Sequence, residues 1–115
     1  MFRTNNYSAT IQASKDYQDL VEKGIQVLQN VVGSDFAPLI NLDWNVSDDS
    51  EGRKGIILKM SDDKGLVRSR IPVEEFRNRD RLKDRLYEQF GDLLQNRSHT
   101  LLRELKEMVV AGDPE

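Results

Sequence analysis

The chain predicts an α+β domain of order α-β-β-β-α: a three-stranded antiparallel sheet with two helices packed on one face, the C-terminal helix being long. Three observations predict it. Ile40, Leu42, Trp44 and Val46 alternate with Asn41, Asp43 and Asn45, a period of two that puts four apolar side chains on one face of a strand. Residues 55–61 and 66–71 flank Asp62-Asp63-Lys64-Gly65, a four-residue hairpin loop with Gly where a positive φ is expected. On either side of this meander, apolar residues recur at three- and four-residue spacing, which is the pattern of helices with one buried stripe.

The hairpin register follows from the apolar pattern. Pairing Met60 with Val67 sets Leu58 opposite Ser69 and Ile56 opposite Ile71. A slip of one residue would set Met60 and Leu58 against Arg68 and Arg70, which a half-buried sheet does not tolerate. In this register Lys59, Arg68 and Arg70 share the outward face with Ile57, Leu66, Asn41, Asp43 and Asn45.

Taken in order, residues 1–13 are polar with scattered Phe2, Tyr7 and Ile11, and read as a flexible N-terminal arm ahead of a single domain over 14–112. Ser14 suits an N-cap, with Asp16 in the first turn of a helix whose stripe is Tyr17, Leu20, Val21, Ile25, Leu28, Val31 and Val32. Gly24 within that stripe costs about 1 kcal/mol relative to Ala, so a close backbone approach is expected there. Gly33 ends the helix and Pro38 leads into the first strand. Residues 47–54 form a polar connection, and 72–76 a single helical turn that Pro72 can begin. Asn78 or Asp80 opens the last helix, with Leu82, Leu86, Phe90, Leu93, Leu94, Leu101, Leu105 and Met108 on its stripe and Arg97 interrupting it.

A helix over residues 79–110 would be about 48 Å long, against a diameter of about 35 Å for a compact chain of this size. It must therefore break or project. Gly91, with Asp92 and then Gln95, offers a C-cap and a fresh capping box for a break. Projection would leave Leu101, Leu105 and Met108 without cover, a stripe suited to self-association.

Composition narrows the function classes. The 115 residues are 37% hydrophobic and 32% charged, and the apolar residues are periodic, so a folded core is expected. The net charge of −3 gives no overall attraction to nucleic acid or an anionic membrane. The absence of cysteine excludes disulfides, thiol catalysis and cysteine-ligated zinc. No apolar signal region and no stretch of about 20 apolar residues is present, so a cytoplasmic location without membrane association is expected.

Sites are few. His99 is the single histidine, off the apolar stripe, with no acid or serine tied to it by a motif. The run from Asp43 has Asp48 and Lys54 where a calcium loop needs Gly and Glu, so its acids read as solvated turn residues. No phosphate-loop glycine spacing occurs, and neither a metal nor a cofactor is expected. Aromatic Trp44, Phe90 and Tyr17 lie on apolar faces and read as packing. The basic residues carry more: Arg77, Arg79, Arg81, Lys83 and Arg85 oppose only Asp80 and Asp84, although spread round the helix. From this group Arg77, Arg79 and Arg81, with Lys59, Arg68 and Arg70, are candidate contacts for a phosphate backbone or a protein partner.

The order α-β-β-β-α is similar to that of double-stranded RNA-binding domains. Their Lys-rich helix start and Gly-Pro-x-His-type loop are replaced here by Arg79-Asp80-Arg81-Leu82-Lys83-Asp84 and Asp48-Asp49-Ser50-Glu51-Gly52. It is also similar to the order in YbaB-type nucleoid proteins, whose last helix is long and which are dimeric. The residues themselves point to a non-catalytic intracellular interaction module that self-associates as a homodimer or binds another protein. The alternative is nucleic-acid binding through the Arg-rich region 68–85.

Overall fold

The computed structural model describes residues 1–48 and 51–112. Chain order is β1 (Thr4–Tyr7), α1 (Ala9–Gln12), α2 (Lys15–Val32), β2 (Asn41–Asp48), β3 (Lys54–Ser61), β4 (Leu66–Pro72) and α3 (Arg79–Gly112), with short 3-10 turns at Ala37–Leu39 and Val73–Arg77. The four strands form one sheet in the order β1-β2-β3-β4.

The antiparallel meander has the register that its apolar pattern requires, with Met60 opposite Val67, Leu58 opposite Ser69 and Ile56 opposite Ile71. Trp44 faces Leu58 across β2 and β3. One face of the sheet is consequently apolar: Leu42, Trp44, Ile56, Leu58, Met60 and Ile71 are all buried. The stripes of α2 (Val21, Leu28, Val32) and α3 (Leu82, Leu86, Leu93) close over it. Gly24 is where α2 comes down hardest. A Cβ there would lie 3.1 Å from Phe76 and 3.2 Å from Trp44, so a larger residue would have to push those two rings back for the helix to seat.

The helix ends follow the capping residues. The Ser14 hydroxyl accepts from the Tyr17 N–H, and Gly33 closes α2 at φ 82°. The Asn78 side chain accepts from the N–H groups of Asp80 and Arg81, which starts α3.

Three expectations need correction. Residues 1–13 are not a flexible arm, and the sheet is four-stranded and mixed rather than three-stranded and antiparallel. Thr4–Tyr7 runs parallel to β2, Thr4 beside Asn41 and Tyr7 beside Trp44. The strand is held by polar side chains, which no hydrophobic alternation reveals: Thr4 donates to Asn41, Asn6 to Asp43, and the Trp44 indole N–H to Asn5 at 2.8 Å. Phe2 and Ile11, both buried, pin its two ends. With β1 added, the element order is no longer α-β-β-β-α.

Gly65 has no positive φ; among the described residues only Gly33 and Gly52 do. Its small size serves a close approach instead, because a Cβ at Gly65 would lie 3.2 Å from the Asn96 Cβ on α3. Of the two alternatives open for the last helix, break or projection, the structure shows no break at Gly91. The helix α3 is continuous over 34 residues, about 51 Å. The molecule measures 61 × 33 × 26 Å with a radius of gyration of 16.8 Å, against about 13 Å for a compact chain near this length. The helix projects.

Candidate functional site

The projecting part of α3 is built in two rows. Arg97, Thr100 and Glu104, at three- and four-residue spacing, face the loop between β3 and β4. Arg97 donates to Asp62 at 3.1 Å and to Asp63 at 3.0 Å. The Thr100 hydroxyl donates to the Lys64 carbonyl, and the Lys64 ammonium pairs with Glu104 at 3.0 Å. Asp62 is the hub of this clamp. Its other oxygen accepts from the N–H groups of Lys64 and Gly65, which shapes the loop. The hydrogen bond to Asp62 is the main reason the Arg97 guanidinium holds its proton more tightly than usual, with Asp63 contributing against the cost of burial. The clamp fixes the direction of the projection as far as Glu104.

The second row is apolar and largely exposed. Leu101 and Leu105 lie one position along from Thr100 and Glu104, about 100° round the helix, and are 42% and 57% exposed. Leu102, 63% exposed, widens the patch, since residues at i, i+3 and i+4 are surface neighbours. The Met108 side chain lies outside the described residues. Arg97, which interrupts the apolar stripe in the sequence, is occupied by the hairpin loop. Leu102 is missing from the sequence-derived site because it lies off the stripe that carries Leu94, Leu101 and Leu105. The adjacent pair Leu101-Leu102 was the available signal.

The six basic candidates do not form one surface. Lys59 and Arg68 are direct cross-strand neighbours on the outward sheet face, opposite Asp43 and beside Ile57. They border a shallow depression of about 480 Å³ that Asn6 and Asn45 also line. Arg70 is drawn to the end of the sheet. Its Nη2 donates to the carbonyls of Arg53 at 2.8 Å and Ser47 at 3.4 Å. Arg77, which ends the 3-10 turn, shares a pocket with it. Arg79 and Arg81 are exposed at the start of α3, in the helical layer on the opposite side of the sheet. Glu75 and Arg85 pair with each other, which ties the 3-10 turn to α3. The hydrogen bonds that Arg85 donates to Glu75 are the main cause of its raised pKa.

Gln89 is a further residue that sequence reasoning missed. Only 3% exposed, it donates from Nε2 to the Leu58 carbonyl at 2.9 Å. It thereby bridges α3 to the centre of the sheet. His99 is exposed on α3. Among the described residues no group of three His, Cys, Asp or Glu is placed to hold a metal ion, and no helix is long and apolar enough to cross a membrane.

Comparison with protein-family models, with curated proteins and with solved structures finds no match to this chain.

Proposed function

We propose that this chain is a non-catalytic intracellular interaction module that pairs with a second copy of itself through the projecting end of α3. The observation that carries the reading is the patch of Leu101, Leu102 and Leu105, exposed on a helix whose neighbouring row is already fastened to the hairpin loop. A leucine moved from water to full burial gains about 1.5–3 kcal/mol, so an apolar row held rigidly in solvent favours a partner. The charges around it favour its own copy. Residues 103–107 read Arg-Glu-Leu-Lys-Glu, two cations and two acids. Glu104 is held by Lys64, so an antiparallel copy sets Arg103 and Lys106 near Glu107 of the other helix, while leucine meets leucine.

Leu101→Asp with Leu105→Asp tests this. Chemical cross-linking of the unmodified chain should give a dimer band that the double variant loses, with an unchanged far-UV spectrum and melt. Equal cross-linking of both proteins would move the contact elsewhere.

A second reading, a nucleic-acid contact through the Arg-rich region 68–85, is favoured by the pairing of Lys59 with Arg68 on the outward face. Such binding would fall steeply with salt as phosphate counterions are released. A low-salt gel shift without a retained complex would remove it.

A further inference from the structure

At the end of the sheet where β3 begins and β4 finishes, three cations from three segments converge. Lys54 opens β3, Arg70 lies near the end of β4, and Arg77 closes the following 3-10 turn. With Pro72 and Val73 they line a pocket of about 270 Å³. Arg53 borders it too, and among the described residues Glu74 is the one carboxylate residue on its wall. Among the described residues, none of Lys54, Arg70 and Arg77 has a carboxylate within ion-pair distance.

Arg70 is the unusual member. Its guanidinium is packed over the backbone of Gly55, where a Cβ would come 2.6 Å from Cζ; glycine is what leaves room for it. Two carbonyls hold Nη2, but carbonyls carry no net charge, and the buried Nε has no acceptor at all. A buried donor left without an acceptor costs free energy. The site therefore combines a half-buried guanidinium held by carbonyls, its Nε unanswered, with two exposed cations beside it. We propose that this pocket binds the phosphate of a small phosphomonoester. Arg70 supplies the fixed fork, which suits phosphate oxygens, and Lys54 and Arg77 close on the remaining oxygens.

The pocket is smaller than the about 300–1,000 Å³ typical of larger ligands, which limits the occupant to a phosphate with a short substituent. An adjoining pocket shares Lys54, Val73 and Arg77 and is lined by Asp16 and Asp19. The negative charge of those carboxylates lowers the potential that an incoming anion meets beside Lys54 and Arg77. Removing them should tighten phosphate binding.

Titration of the full chain with inorganic phosphate and with phosphoserine, followed by backbone amide NMR shifts at low salt, tests the proposal. Saturable shifts are expected at Gly55, Arg70, Val73 and Arg77. Lys54→Ala with Arg77→Ala should weaken binding at least about tenfold, or 1.4 kcal/mol, while leaving the remaining spectrum in place. That variant avoids altering Arg70, whose loss could disturb the connection between β2 and β3. Asp16→Asn with Asp19→Asn should strengthen binding. Absence of saturation up to about 20 mM phosphate, or identical shifts with chloride, would overturn the assignment. So would shifts centred on Lys59 and Arg68, which would place the phosphate contact on the outward sheet face.

Discussion

Two stretches of α3 carry the same residue type in the same conformation and have opposite fates. Leu82, Leu86 and Leu93 are at most 1% exposed, whereas Leu101, Leu102 and Leu105 are 42–63% exposed. The difference is what stands opposite. The first stretch faces β3, β4 and α2; the second has passed the end of the sheet and faces only the β3–β4 loop, on one side. Periodicity records a stripe, and a stripe says that a helix has an apolar side. It does not say whether this chain or another one covers it.

The largest effects should separate the two stretches. Leu42→Ala, Leu58→Ala or Leu86→Ala should each lower stability by about 2–5 kcal/mol, through lost burial and the cavity left behind. Leu105→Ala should change stability by less than about 0.5 kcal/mol in solutions dilute enough to be monomeric. Denaturant melts compare them directly, and similar losses in both groups would mean that the projecting stripe is packed after all.

The clamp comes next. Asp62 is the point where loop and helix are joined, and its side chain is 6% exposed. Asp62→Ala should cost about 1–3 kcal/mol, since two loop N–H groups lose their acceptor and the Arg97 guanidinium keeps only Asp63. Hydrogen exchange should quicken over residues 97–104 and leave 82–93 protected. Uniform quickening along α3 would show that the projection and the core unfold as one.

The smallest effect has the opposite sign. A Cβ at Gly91 would meet nothing within 4 Å, and the position lies inside a continuous helix. Gly91→Ala should therefore stabilise by about 0.5–1 kcal/mol. The same substitution at Gly24, pressed against Phe76 and Trp44, should destabilise. A thermal melt of the two variants distinguishes a helix interior from a break at Gly91.

What could be read from the sequence divides along physical lines. Alternation gave the register of the meander, and capping residues gave the starts of α2 and α3. Both signals are local. The edge strand β1 could not be read because Thr-Asn-Asn-Tyr is polar, and its pairing depends on Asn41, Asp43 and Trp44 nearly forty residues away. Gly65 was misread, and Gly91 left between a break and a helix interior, for a related reason. A glycine can mark a positive φ, a close contact or a helix end, and only the neighbouring side chains decide among these. At Gly65 the neighbour is Asn96; at Gly91 there is none. Among the candidate site residues, Leu101 and Leu105 stand exposed as the projection argument requires. The basic residues were grouped by sequence proximity, and the sheet separates them.

The projecting patch itself is tested most directly by sedimentation equilibrium of the unmodified chain and of the Leu101→Asp, Leu105→Asp variant over a range of concentrations reaching tens of micromolar. The unmodified chain should fit a reversible monomer–dimer equilibrium, and the variant should stay at the mass of one 13.3 kDa chain. A purely monomeric unmodified chain, or a variant that dimerises as well as its parent, would contradict self-association through α3.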